Sequence, residues 1–201
     1  MLRIVHLSDL HLGAAEHLQR PLFASLAQAL HGYKADLVVF TGDIFDSATL
    51  GADAVERFAA LLRTLDEQVG PRVKTLILPG NHDRRESGFL APLTSSLFDL
   101  LAERMRALPH VEVCGCTRPF LAHYFPPGEV PAHVVAYDST FVPRGLFSAG
   151  GLVRQEDLLQ VAERMLDTSD DKPLLFLLHH HLVPTPVTDL GEITLDGRGA
   201  L

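Results

Sequence analysis

The segment from Leu37 to Asp46 reads LVVFTGDIFD, and it decides how the first half of the chain folds. Its first four residues are apolar and include β-branched and aromatic side chains, which predicts a short buried strand that stops at Thr41-Gly42-Asp43. Two runs of the same kind, Leu2 to Leu7 and Val73 to Leu78, also end in polar or turn-forming residues. We therefore predict three buried strands, each of which delivers polar side chains into a loop.

The segments between and after these strands are predicted to be helices. Apolar residues recur at helical spacing from Pro21 to Leu30, and again from Asp53, a favourable N-cap, to about Gln68. A third helix is predicted from about Ser96 to Leu108. The resulting β-α-β-α-β-α order is typical of a mostly parallel sheet covered by helices, so the predicted fold class is α/β.

The second half of the chain predicts a second sheet. Strands are expected at Val111–Val113, Arg118–His123 and His133–Tyr137, separated by Pro/Gly turns, and we expect them to form a mixed sheet. A helix over Gln155–Leu166 and a buried strand over Leu174–Leu178 follow. Because no repeat or linker divides the chain, residues 1–201 are predicted to form one domain.

Charge and composition disfavour several classes of function. The formal net charge is −8, which argues against a broad nucleic-acid or anionic-membrane surface. No run reaches the ~18 apolar residues of a membrane span, and Arg3 and His6 interrupt the N-terminal apolar run, so neither a membrane segment nor a signal peptide is predicted. His6 itself is expected to be a hydrogen-bonded core residue. Cys114 and Cys116 are spaced as strand residues rather than as a redox or metal pair, which favours a cytoplasmic location.

Polar residues close four of the predicted strands. Because ligands of open α/β sheets bind outside the carboxyl ends of the strands, these residues are expected to converge around an ion. Carboxylates, an amide oxygen and imidazoles, without thiolates, suit Mn, Fe or Zn, and a single carboxylate can bridge two such ions. The groups are Asp9-x-His11, Gly42-Asp43-x-x-Asp46, Gly80-Asn81-His82-Asp83 and His179-His180-His181.

Each of these motifs alone has an ordinary structural explanation. Asp-x-His occurs in many unrelated chains, an Asp after a strand is often a turn former or a helix cap, and Gly-Asn-His-Asp can be a tight turn. Three motifs in order, each closing a strand, with a histidine run closing a fourth, favour a metal site over coincidence.

The same segments resemble the calcineurin-like metallophosphoesterases. The resemblance is carried by Leu7–His11, Phe40–Asp46 and Leu78–Asp83. The later Tyr137–Thr140, followed by an amphipathic helix and Leu178-His179-His180, is similar to the branch that contains the class III cyclic-nucleotide phosphodiesterases. The resemblance implies a four-layer α/β/β/α sandwich with a site for two metal ions at one edge.

The resemblance also implies which residues bind the metals. Asp9 and His11 would hold the first ion, and Asp43 would bridge both ions. Asn81 would bind the second ion together with the histidine that closes the last strand. For that histidine His179 is preferred, with His180 as the alternative.

Three further residues receive roles that do not involve metal binding. His82 is expected beside the phosphate as a general acid or charge stabiliser. Asp83 is expected to orient the His82 imidazole, as carboxylates behind a functional histidine do. Asp46 is expected to fix a loop through hydrogen bonds rather than to bind metal.

One motif of the family is missing. The family closes its site with Gly-His-x-His, which supplies one more imidazole to each metal, whereas this chain ends at Leu201 without that motif. The resemblance therefore implies a fold that lacks its last C-terminal elements, in a sequence that stops short of its natural C-terminus. Each metal would then have three protein ligands.

The expected function is hydrolysis of a phosphomonoester or phosphodiester by attack of a metal-bridged hydroxide. The expected partner is a small-molecule phosphate ester or a cyclic nucleotide. Two alternatives stay open. One is a nuclease of the same superfamily, and the other is a non-catalytic interaction module that kept the fold and lost its metals.

Overall fold

The computed structural model describes most of the chain. The described residues are 1–13, 21, 24–26, 28–47, 51, 53–69, 73–84, 97–115, 122–128, 130–140, 151, 153–166 and 170–180. The predicted ligand and catalytic residues all lie within these ranges. His181 and the rest of the chain to Leu201 lie outside them, as does most of the predicted strand Arg118–His123.

Four parallel strands form the first sheet, in the order β1-β2-β3-β4. Their bounds are Ile4–Leu7 for β1, Leu37–Thr41 for β2, Lys74–Leu78 for β3 and Val111–Val113 for β4. The prediction of a parallel sheet for the first half is confirmed. The prediction that Val111–Val113 joins the second sheet is wrong, because the helix between β3 and β4 returns the chain alongside β3, as in other βαβ units.

Helices cover the outer face of the first sheet. They are α1 at Asp53–Val69, the short α2 at Asn81–Arg84 and α3 at Leu97–Met105, and helical residues also occur at 24–26 and 28–30. Val38 and Phe40 of β2 pack with Phe58 of α1 and Phe98 of α3 in one buried core. Burying each such side chain contributes roughly 1.5–3 kcal/mol, so this core stabilises the first half of the chain.

Three strands form the second sheet, in the order β5-β6-β7. Ala122–Phe125 (β5) pairs antiparallel with His133–Tyr137 (β6), which pairs parallel with Leu174–Leu177 (β7). The prediction of a mixed sheet is confirmed. Strand β5 extends two residues past the predicted end at His123, and it stops before Pro126, which cannot donate a ladder hydrogen bond.

The two sheets pack face to face and give the predicted four layers. Leu37, Val39 and Leu76 from the first sheet contact Val134 and Ala136 from the second in an inter-sheet core. The fourth helix, α4 at Gln155–Leu166, covers the outer face of the second sheet. The α/β/β/α arrangement follows from strands that are apolar on both faces, since each face needs a covering layer.

Two smaller findings concern the edge strand β1 and the helices. His6 is exposed rather than buried, because β1 ends the sheet, and its Nε2 lies 2.8 Å from Oγ1 of Thr41. The prediction of a core histidine is therefore wrong, although the hydrogen bond is present. Among the described helices, none combines the length and apolar character needed to cross a membrane.

Candidate metal centre

The loops that follow β1 and β2 remain paired beyond the ends of the strands. The N–H of Asp9 donates to the carbonyl of Gly42 at 3.1 Å, and the N–H of His11 donates to the carbonyl of Asp43 at 3.0 Å. Leu12 then forms an isolated parallel bridge with Phe45. This main-chain ladder holds the Asp9-x-His11 loop directly against the Gly42-Asp43 loop.

Three residues of these loops adopt backbone conformations that are rare for residues other than glycine. The φ angles are 55° at Asp9, 45° at His11 and 50° at Asp43. Such left-handed conformations cost free energy in residues with a Cβ, and they concentrate at functional sites where the surrounding structure enforces them. The cluster of three marks this edge of the sheet as a site.

The strained loops bring three side chains together. One ligand atom from each of Asp9, His11 and Asp43 lies within 4.8 Å of the others, and we call this set the first donor cluster. The Asp9 side chain is 59% exposed and that of Asp43 is 7% exposed, so the cluster runs from the surface into the protein. Two carboxylates and an imidazole at this spacing can hold a divalent ion.

A second donor cluster consists of Asp43, Asn81 and His179. His179 Nε2 lies 3.1 Å from Oδ1 of Asn81 and 3.5 Å from Oδ1 of Asp43. The same ring donates from Nδ1 to the carbonyl of Thr41 at 2.7 Å, so in the neutral imidazole Nε2 carries its lone pair. Three electron-pair donors then face one another, which is unfavourable unless a cation lies between them. The donor set therefore fits a metal ion.

Asp43 belongs to both clusters and is the shared element of the centre. It is buried at the end of β2, and its Oδ1 accepts a hydrogen bond from the main-chain N–H of His82 at 3.0 Å. Gly80 packs against it so closely that a Cβ at position 80 would collide with both the carboxylate and the main-chain nitrogen of Asp43. The two loops can approach each other only because residue 80 is glycine.

His82 lies at the exposed side of the centre. Its Nδ1 donates to the main-chain carbonyl of Asp46 at 2.9 Å, and its ring lies edge-on to that of His11 with centroids 5.1 Å apart. Asp83 was expected to orient this ring, and that expectation is corrected, because the orienting group is the Asp46 carbonyl. Asp46 thus fixes a loop, in line with the role expected for it, through its main chain.

Asp83 instead joins the loops that surround Asp43. Its carboxylate is fully buried and accepts hydrogen bonds from the N–H of Phe45 at 2.8 Å and of Gly80 at 2.7 Å. Burial, together with the neighbouring Asp43 carboxylate, raises the pKa of Asp83 to about 7, although hydrogen bonds from main-chain N–H groups act in the opposite direction. Asp83 thus links the loop that follows β2 to the loop that follows β3.

The structure distinguishes His179 from His180. His180 is buried, and its Nδ1 lies 2.8 Å from Oγ of Ser139, just after the end of β6. The ring of His179, in contrast, points at Asn81 and Asp43. The geometry therefore brings together Asp9, His11, Asp43, Asn81 and His179, the five residues predicted to be ligands, and leaves the alternative His180 outside both clusters.

Sequence reasoning missed the groups that orient the imidazoles of His179 and His82. These are the main-chain carbonyls of Thr41 and Asp46, which fix the rings of His179 and His82. Every residue has a carbonyl, so no side-chain pattern marks these two. It also missed the ion pair between Arg84, which directly follows the Gly80–Asp83 motif, and Asp138, which lies within Tyr137–Thr140.

Comparison with known proteins adds one finding. A family model described as calcineurin-like phosphoesterase matches residues 2–198, which is nearly the whole chain. No curated protein matches the chain with significance.

Proposed function

The chain belongs to the calcineurin-like phosphoesterases, and from that premise we propose that it hydrolyses a small-molecule phosphate ester at a centre of two divalent metal ions. Cyclic nucleotides and similar phosphodiesters are the proposed substrate class. The observation that carries the proposal is the position of Asp43, whose carboxylate is common to both donor clusters.

The ligands follow from the two clusters. Asp9, His11 and Asp43 would hold the first ion, and Asp43, Asn81 and His179 would hold the second. Two divalent ions bound there would stabilise charge on the phosphoryl oxygens and acidify an attacking water. The oxygen and imidazole donors suit Mn, Fe or Zn.

His82 supplies the acid–base chemistry in this proposal. Its Nδ1 proton is committed to the Asp46 carbonyl, so a second proton on Nε2 makes the ring a cation. From the exposed side of the centre, such a ring can protonate the leaving oxygen and stabilise negative charge on the phosphate. Asp83 acts only through the backbone of the loops that it joins.

A small-molecule substrate is preferred to nucleic acid because of charge. With a net charge of −8, the chain lacks the basic excess that strong binding of a polyanion requires. A cytoplasmic location is also part of the proposal, since Cys114 and Cys116 are not spaced as a C-x-x-C redox pair.

The proposal is tested by metal analysis together with hydrolysis of bis(p-nitrophenyl) phosphate. The wild-type protein should bind two equivalents of Mn and turn over the ester. Asp43→Ala should lower turnover by about 10³-fold or more, since loss of a single oxyanion donor already costs roughly 10²–10³. Asp53→Ala, an exposed change in the first turn of α1, is the matched control and should leave turnover unchanged.

Three outcomes would count against parts of the proposal. A wild-type protein that purifies without metal and ignores added Mn would be a non-catalytic module. Faster cleavage of single-stranded DNA than of cyclic nucleotides would identify a nuclease. His82→Ala should slow turnover by roughly 10²-fold with metal content unchanged, and a large loss of metal would instead make His82 a ligand.

A further inference from the structure

An ion pair joins the two sheets beside the candidate metal centre. Arg84 is the last residue of α2, which follows β3, and Asp138 directly follows β6. Arg84 Nη2 lies 3.0 Å from Asp138 Oδ2, as an ion pair rather than an aligned hydrogen bond. The Asp138 side chain is 2% exposed and that of Arg84 is 22% exposed. A largely buried charge pair therefore crosses from one sheet to the other.

The residues around Asp138 hold its carboxylate in position for this contact. Its Oδ1 accepts hydrogen bonds from the N–H of Thr140 at 3.0 Å and from Oγ1 of Thr140 at 2.6 Å, and Oδ2 faces the guanidinium. Gly115, with φ 85°, leaves room for the carboxylate, because a Cβ there would lie 2.6 Å from Oδ2. The guanidinium carbon of Arg84 lies 5.3 Å from the ring centroid of Phe98, which is fully buried.

Stability alone does not explain such a pair. Desolvating two charges offsets most of their attraction, so a buried ion pair is often no more stabilising than apolar side chains of similar size. A buried ion pair that joins two elements can instead fix their relative geometry. The elements joined here are α2 and the end of β6.

Both elements lead directly to the second donor cluster. α2 is a single turn that also carries Asn81 and His82. On the other sheet, Ser139 follows Asp138 and hydrogen-bonds His180, the neighbour of His179. A chain of polar contacts thus runs from the helix that carries Asn81 to the loop that carries His179.

We propose that Arg84 and Asp138 are positioning residues that hold Asn81 and His179 at the separation that binds the second metal ion. The inference rests on the proposed function, because it presupposes two metal ions. The first donor cluster comes from loops of the first sheet that share a main-chain ladder, so its ion does not depend on the pair. The effect of breaking the pair is therefore confined to the second ion.

The test compares metal affinities rather than activity alone. Metal-free protein is titrated with Mn or Co(II), with calorimetry or the Co(II) absorption spectrum resolving the two sites. Arg84→Met, which keeps much of the side-chain length, and the isosteric Asp138→Asn should each weaken the second site by about 10- to 100-fold and leave the first unchanged. Arg84→Lys should weaken it less, because it keeps the charge and loses the planar fork.

Added metal supplies a second readout. Turnover of the Arg84→Met protein should recover as Mn is raised, because the ligands themselves are intact. The matched control is Arg104→Met, which breaks the exposed ion pair between Arg104 and Glu56 (3.0 Å) of α3 and α1. That variant should bind both ions like the wild type.

The possible results separate the inference from the proposed function. If the wild type binds two ions and both Arg84→Met and Asp138→Asn bind them with wild-type affinities, the inference is wrong and the proposed function stands. Loss of both ions together in a variant with a wild-type circular dichroism spectrum would also overturn it. If Arg84→Met does not fold, Asp138→Asn decides. A wild type that binds fewer than two ions would contradict the proposed function itself.

Discussion

The first and second sheets contribute unequally to the candidate centre. Among the described residues, the first sheet (β1–β4) supplies Asp9, His11, Asp43 and Asn81 to the two donor clusters, and the second sheet (β5–β7) supplies His179. The helix layers also differ, since Phe58 of α1 and Phe98 of α3 are fully buried in the core beside the first sheet. In α4, all of which is described, no side chain is fully buried.

The two donor clusters therefore differ in the contacts that hold their side chains together. The first donor cluster is assembled locally, by loops that continue the pairing of β1 and β2. The second is assembled across the inter-sheet core, and its geometry depends on how the second sheet sits against the first. Local openings of a protein begin where fewer apolar contacts are buried. We therefore expect the second metal site to be the more easily perturbed.

The strongest test of this comparison is Gly80→Ala. The added Cβ would collide with the carboxylate and the main-chain nitrogen of Asp43, the residue that both clusters share. We expect loss of both ions, loss of turnover and destabilisation by about 1–3 kcal/mol, the usual cost of overpacking. Metal stoichiometry and denaturant unfolding would measure these effects.

Gly128→Ala is the matched control for that change. The nearest atom to its added Cβ is the carbonyl oxygen of Pro126 at 3.9 Å, which is ordinary contact distance. The control should bind two ions. Retention of both ions by Gly80→Ala would mean that the close approach of the two loops is not required by the centre.

A smaller effect should distinguish the two adjacent histidines. His179→Ala removes a donor of the second cluster, so the second ion should bind more than about 100-fold more weakly, beyond the range seen when only an orienting partner is lost. His180→Ala removes a buried contact to Ser139 and should cost about 1–3 kcal/mol of stability. Its second-site affinity should fall less than that of His179→Ala. The reverse order of affinities would reassign the ligand to His180.

The parts of the centre that could be predicted from the sequence are those tied to strand ends. A buried strand that stops at Gly-Asp or Gly-Asn places the next side chain at the carboxyl edge of the sheet, and this located Asp43 and Asn81. These positions follow from local pattern and from the rule that ligands of open α/β sheets bind at the carboxyl ends of the strands. The four layers, in contrast, were implied by the family resemblance alone.

The remaining features depend on contacts that leave no local pattern. Val111–Val113 has the same composition whichever sheet it joins, and the sheet it joins is set by the path of the preceding helix. His6 belongs to an apolar run, and its exposure comes from the position of β1 at the sheet edge. Arg84 and Asp138 are 54 residues apart in sequence, and no local sequence pattern predicts that they pair.

The smallest predicted effect concerns the far end of the second sheet and uses pH. His133 begins β6, donates from Nε2 to Asp170 Oδ1 at 2.5 Å, and accepts from the hydroxyl of Tyr124 at Nδ1 (2.6 Å). The hydrogen bond from His133 lowers the pKa of Asp170 below its ordinary value. A carboxylate whose pKa is lower in the folded protein stabilises the fold above the unfolded pKa, and this contribution is lost as the pH falls through the folded value.

Asp170→Asn should therefore lower the free energy of unfolding at about pH 7, and the difference from wild type should shrink towards about pH 3, where the wild-type carboxylate also becomes protonated. The effect is small because the Asp170 side chain is 43% exposed, and Asp171→Asn at the neighbouring exposed position is the control. Urea unfolding at the two pH values measures it. His133 and Asp138 lie at opposite ends of β6, so the Asp170→Asn variant should bind the first metal ion with unchanged affinity. Weaker binding of that ion would show that the two sheets are coupled more tightly than their unequal contributions to the centre imply.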